Sequence, residues 1–205
     1  MIIAVDGPTA SGKGTIAAAL ARHFGLPHLD TGLLYRAVGR QVFLDGGDPD
    51  KGGDALAACS FPDALLDDPH LRSEDTGGLA SRVSVHPAVR DALFERQRAF
   101  ATQSGGAVLD GRDIGTVIAP DADVKLFVTA SAAARADRRY REMQSRGIAA
   151  VLAEIEADIR ARDERDISRA DAPLVAAEGA VLIDTTQLDR EAAIAAALAA
   201  IAGAG

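Results

Sequence analysis

The sequence predicts an α/β fold, a doubly wound parallel sheet of about five strands with helices on both faces. Three observations carry this. Short apolar runs recur along the chain (Ile2-Ile3-Ala4-Val5, Ala107-Val108-Leu109-Asp110, residues 124–128, Val181-Leu182-Ile183-Asp184) and read as strands buried on both faces. Segments of helical periodicity separate them. A glycine-rich stretch follows the first run directly and opens a helix. Strands alternating with helices specify a parallel sheet, and right-handed crossovers restrict it to the doubly wound topology.

The elements follow in order. Residues 15–24 read as a helix, with Ile16, Leu20 and Phe24 on one face and Gly25 as its stop. Residues 27–29 form a short strand and 33–44 a second helix. Gly, Asp and Pro then punctuate residues 45–78 (GGDPDKGG, FPD, DDPH, TGG), which predicts a loop-rich insert with one helix near Leu56. Helical periodicity returns over residues 79–100, 131–145, 150–169 and 190–201.

A chain of 205 residues fits one domain, or one domain with a small insert. Hydrophobic content of 48% and charged content of 25% are ordinary for a soluble protein, and only 4% aromatics with no Trp predicts an aliphatic core. The net charge of -8 argues against a broad nucleic-acid-coating surface but leaves room for a small anion held by local arginines. Lysine occurs only at 13, 51 and 125, so nearly all positive charge is arginine. Cys59 is the sole cysteine, which excludes an intramolecular disulfide and suggests a reducing compartment. The opening MIIAVDG lacks signal-peptide features, and the alanine-rich stretch 192–202 falls short of the ~20 residues of a membrane span. The expectation is a cytoplasmic protein without nucleic-acid or membrane partners.

Gly7-Pro8-Thr9-Ala10-Ser11-Gly12-Lys13 fits the phosphate-loop pattern G-x-x-x-x-G-K between a buried strand and a helix. Glycines let successive backbone N–H groups turn around an anion, the helix N-terminus adds a favourable dipole, and Lys13 supplies charge for the β- and γ-phosphates. Gly14 stands where a hydroxyl usually follows the lysine, and the hydroxyl is Thr15 instead. This G-K-G-T form resembles adenylate kinase and its relatives, in which Mg²⁺ is held largely by phosphate oxygens and water. That makes Thr15 and, through water, Asp110 the candidate metal residues; the lesser reading of Asp110 is a turn or helix cap. No N-K-x-D guanine-reading motif is present.

Arginines stand where a core would continue. Leu152, Ile155 and Ile159 mark one face of the long helix, and the same steps land on Arg162, Asp166 and Arg169. Either this face borders a cleft for an anionic ligand, or Arg162 and Asp166 form a surface ladder. Asp110-Gly111-Arg112-Asp113 lies at the carboxyl end of a strand, where ligands of open α/β sheets collect. Arg36 follows the second strand on the same side, as does Arg90 if its helix packs there. Arg135, Arg138, Arg139 and Arg141 share one helix, as a solvated face or as a lid that closes arginines over the transferring phosphate. The four histidines, at 23, 28, 70 and 86, are scattered and read as surface residues.

GPTASGKGT, LDTGLLYRAV, ASRV…HPAVR, RQRAF, VLDGRDIGTVIAPDADVKLFVTAS and RDERDISRADAPL together resemble bacterial cytidylate kinases over nearly the whole chain. The resemblance implies a monomeric P-loop kinase domain over residues 1–205, with a shortened acceptor-binding insert at about 45–80 and a lid at about 136–148. It implies ATP and Mg²⁺ as donor and cofactor, and CMP or dCMP as acceptor. Gly7, Pro8, Thr9, Ala10, Ser11, Gly12, Lys13, Gly14 and Thr15 would hold ATP. Thr31, Arg90, Asp113 and Arg169 would line the cytosine pocket, and Tyr35 would shape its wall. Ser81, Arg162 and Asp166 would contact the pentose or its phosphate, and Arg36 and Arg112 the CMP phosphate. Lys13, Arg112, Arg139 and Arg162 are the implied catalytic set. Many members carry Ser where Thr31 stands, and a longer insert with its own small sheet. Selectivity among CMP, dCMP and UMP is therefore open. A UMP or shikimate kinase, or a nucleotide-binding regulator without turnover, are the competing readings.

Overall fold

The computed structural model describes residues 1–203. Strand β1 (Ile2–Asp6) opens the chain, α1 (Lys13–Phe24) follows the glycine-rich loop, and β2 (His28–Asp30) leads into α2 (Thr31–Leu44). Next come α3 (Gly52–Ala57), three short 3-10 turns, α4 (Glu74–Val83) and α5 (Pro87–Ala101). Strand β3 (Ala107–Gly111) precedes one π-helical turn at Ile114–Ile118, and β4 (Val124–Thr129) precedes α6 (Ala132–Ser145) and α7 (Leu152–Ser168). β5 (Val181–Asp184) and α8 (Arg190–Ala202) complete the chain.

The five strands lie in the order β2-β3-β1-β4-β5, with β1 parallel to β3 and β4, and β4 parallel to β5. The doubly wound α/β expectation therefore holds. Register aligns Asp6 of β1 with Gly111 of β3 and Phe127 of β4, which brings the carboxyl ends of β1 and β3 level and lets β4 run two residues further.

Two compact units divide the chain. The first joins Met1–Leu29 to the residues from Ala101 onward, and the second is Asp30–Phe100. In the first unit Ile3, Val5, Ile16, Leu20, Val108, Leu126, Val128 and Ile183 are buried together, with Ala193 and Ala197 of α8 among them. That core is aliphatic, as the composition requires. The second unit has its own core of Leu34, Val38, Val42, Leu71, Val83, Val89 and Leu93, and admits Tyr35 and Phe61.

Within the second unit the loop-rich expectation for residues 45–78 is met by the short α3 and the 3-10 turns, with no strand among the described residues there. The single helix expected over 79–100 is two. Pro87 lacks an N–H and disfavours a helical residue before it, so α4 ends at Val83 and Pro87 starts α5. α4 begins earlier than expected because Ser73 caps it, its side chain accepting from the Thr76 N–H. Cys59 lies half-buried in this unit, and burial pushes its thiol pKa up.

Candidate active site

The loop between β1 and α1 is shaped by glycine where nothing else fits. Gly7 has φ 153°, and a Cβ there would stand 2.0 Å from the Val128 carbonyl oxygen of β4. Gly12, at φ 92°, turns the chain into α1. Ala10 holds φ 57° without being glycine, a strain of about 1–3 kcal/mol of the kind functional loops retain. Three loop carbonyls accept side-chain hydrogen bonds. Pro8 O accepts from Lys13 Nζ at 3.4 Å, Thr9 O from Arg135 at 3.1 Å, and Ser11 O from the Thr185 hydroxyl at 2.9 Å. Carbonyl oxygens repel an anion, so donors that engage them leave α1's N-terminal N–H groups and dipole to attract one.

Three acids and a histidine line the strand ends of this unit. Asp6, only 3% exposed, accepts from the Ile114 and Gly115 N–H groups at 2.8 Å each. Burial nevertheless pushes its pKa up to about 6, the two backbone bonds only partly offsetting that. Asp110 is buried, with Oδ1 2.7 Å from His28 Nε2. A Cβ at Gly14 would stand 3.6 Å from Asp110 Oδ2, so this carboxylate faces the start of α1. Asp113 is buried, and its carbonyl accepts from Val117 and Ile118 to close the π-helical turn. Neither Asp6 nor His28 was legible as a site residue. Asp6 reads as the tail of an apolar run, and only the sheet register sets it beside the turn at 114–118.

The arginine face of α7 settles against a surface ladder. Ile159, Arg162 and Asp166 are buried, and Arg169 just beyond the helix is 9% exposed. Leu152, expected on the buried face, is 40% exposed. The charged end of the stripe is thus the buried end. Asp166 Oδ2 lies 2.8 Å from Arg112 Nε, and Arg162 Nε lies 2.8 Å from Asp158 Oδ2. Arg169 donates to the Ala172 carbonyl at 2.6 Å. Arg112, Asp113, Arg162, Asp166 and Arg169 therefore belong to one unit with the phosphate loop.

The α6 arginines do not form one solvated face, because two are drawn inward. Arg135 is 4% exposed and Arg138 donates to the Thr185 and Leu188 carbonyls, whereas Arg141 is exposed and pairs with Asp137. Arg139 pairs with Glu142 at 2.9 Å. Thr31, Tyr35, Arg36, Ser81 and Arg90 lie in the second unit. There the Arg90 guanidinium sits 5.9 Å over the Tyr35 ring, and both are buried. Arg36 donates to the Leu71 and Ser73 carbonyls, Thr31 starts α2, and Ser81 lies on α4. Among the described residues no group of three or more His, Cys, Asp or Glu side chains could hold a metal, and no helix is long and apolar enough to cross a membrane.

The family model for cytidylate kinase matches residues 3–51 and 59–202. The chain belongs to the cytidylate kinase family. Relatives bearing that name include one from Xanthobacter autotrophicus, 56% identical over 98% of this chain and 97% of its own length. Another, from Methylocella silvestris, is 57% identical over 97% of this chain and 92% of its own length. A solved structure of an uncharacterized protein from Eubacterium ventriosum superposes with a TM-score of 0.54 at 15% identity, over 98% of each chain, and shares the fold. The match to the cytidylate kinase family passes through the phosphate loop, the Asp110–Asp113 stretch and α7 without a break. It is interrupted only at residues 52–58, where α3 lies.

Proposed function

We propose that this chain transfers the terminal phosphoryl group of ATP to CMP, and to dCMP, by direct in-line displacement. The observation that carries the reading is the buried charged end of α7. Arg162, Asp166 and Arg169 are inward-facing charges in the same unit as the phosphate loop, and a protein that only bound one nucleotide would have no need of that second anion-binding face. Membership of the cytidylate kinase family supports CMP as the acceptor.

In this reading Gly7 to Thr15 hold the ATP phosphates, and Lys13 offsets charge on the β- and γ-phosphates. Arg112 and Arg162 neutralise the transferring group, and Arg139 on α6 closes over it from a lid at about 136–148. On the first unit Asp113 and Arg169 read the cytosine, and Asp166 with Arg162 holds the pentose or its phosphate. On the second unit Thr31 and Arg90 contribute to base recognition, Tyr35 and Ser81 to the wall and pentose, and Arg36 to the CMP phosphate. The short segment 45–80 is the acceptor-binding insert.

The donor set suits Mg²⁺. Thr15 is exposed at the start of α1, Asp110 Oδ2 faces the same helix start, and both are hard oxygen donors few enough to leave the ion to phosphate and water. Thr15 and Asp110 would hold it indirectly, and its charge, when bound, would stabilise the transition state. The protein acts as a monomer in the cytoplasm.

The test is ADP release with ATP and Mg²⁺ in the presence of CMP, dCMP, UMP, AMP or shikimate in turn. Acceleration by CMP and dCMP above the others is expected. Acceleration by UMP or shikimate alone, or by none, overturns the proposal.

A further inference from the structure

Arg135 is buried, and its guanidinium ties three separate segments of the first unit together. It sits in the first turn of α6, and its side chain is 5% exposed. Its Nε donates to the Ala130 carbonyl at 2.9 Å, and one terminal nitrogen donates to the Thr9 carbonyl of the phosphate loop at 3.1 Å. The same nitrogen and its twin reach the two oxygens of Asp163 at 2.9 and 2.5 Å. Asp163 stands on α7 next to Arg162 and three residues before Asp166. A planar fork can bridge a carboxylate and a carbonyl in this way only while its orientation is fixed.

The neighbouring residue sharpens the point. Thr9 precedes Ala10, whose φ of 57° is a strained conformation that persists only where its surroundings impose it. The Arg135 bond to the Thr9 carbonyl fixes the peptide unit that joins these two residues. Rotation of that unit would swing the carbonyl toward the phosphates.

We propose that Arg135, held by Asp163, is a positioning residue that sets the Thr9–Ala10 peptide of the phosphate loop and couples it mechanically to the acceptor-facing end of α7. Occupancy of the loop by ATP and engagement of Arg162 and Asp166 by the acceptor then favour the same placement of α7. Each ligand tightens the other. The inference rests on the phosphoryl-transfer reading above.

CMP affinity, measured by calorimetry with and without a saturating non-hydrolysable ATP analogue, tests it in wild type, Asp163→Asn, Arg135→Lys and the surface control Arg160→Ala. Wild type and the control are expected to bind CMP at least fivefold more tightly with the analogue present. In Asp163→Asn and Arg135→Lys that ratio is expected to fall to about one, with CMP affinity alone within twofold of wild type and kcat reduced tenfold or more. Thermal unfolding monitors the fold. An unchanged ratio in either folded variant overturns the proposal, as does a wild type that turns over CMP without any coupling. Unfolding of both variants would mark the pair as a stability element and overturn it too. Absence of CMP turnover in wild type would instead reject the functional reading on which it rests.

Discussion

Asp166 accepts from Arg112 across 2.8 Å, which joins the carboxyl end of β3 to the last turns of α7. Arg112 follows the strand end and Asp166 ends a helix stripe, so this pair orients two of the groups assigned to the acceptor. Asp166→Asn keeps the shape and removes the charge. It should lower kcat/KM for CMP about 10²-fold, or about 2.7 kcal/mol, while the Kd of the ATP analogue moves less than threefold. Steady-state kinetics with varied CMP, together with analogue binding, checks this.

Arg169 is the sharper discriminator of acceptor from donor. Its guanidinium is buried and reaches the Ala172 carbonyl beyond α7. Arg169→Ala should damage use of CMP far more than ATP binding, with kcat/KM for CMP down by 10²-fold or more. Equal loss of both in parallel titrations would mean that the α7 face serves the donor.

Gly7 tests the loop itself. A methyl group there would meet the Val128 carbonyl at 2.0 Å, and that atom belongs to a central strand that cannot retreat. Gly7→Ala should cost about 3–5 kcal/mol of stability, read by urea unfolding, and abolish detectable binding of the ATP analogue. Retained stability with normal binding would show that the strand yields.

Asp6 predicts a pH dependence whose sign is unusual for a carboxylate. Its pKa is about 6 when folded against an ordinary value of 3.8, so the folded state binds the proton more readily between those limits. Stability from this group is therefore fully present below 3.8 and falls as pH rises through the window, by about 3 kcal/mol at 1.36 kcal/mol per unit. Above 6 the loss is complete. Asp6→Asn should abolish this component, so its stability relative to wild type should rise by roughly that amount between pH 4 and pH 7. Parallel urea-unfolding profiles would contradict the assignment.

Much of this was legible because local pattern and chain order agree. The four apolar runs became β1, β3, β4 and β5, and the glycine-rich stretch between β1 and α1 became the loop. What escaped depends on distance in sequence. Asp6 and the turn at 114–118 are 108 residues apart, and only the parallel register makes the acid an acceptor for that turn. His28 meets Asp110 across 82 residues because β2 lies beside β3 in the sheet. The helix expected over 79–100 failed at Pro87, a signal present in the sequence but outweighed by periodicity. On α7 the charged end of the stripe, open in the sequence between a cleft face and a surface ladder, is buried, and Leu152, expected buried, is exposed. The apolar start lies exposed and the arginines lie buried, so periodicity located the face without revealing which end is covered.

Phosphoryl transfer from ATP to CMP can be followed atom by atom. The most direct measurement follows γ-labelled ATP with CMP, Mg²⁺ and the enzyme, and identifies the labelled product. Label is expected in the β-phosphate of CDP, with ADP formed in equal amount and little inorganic phosphate. Label released as inorganic phosphate, or retained in ATP, would contradict it.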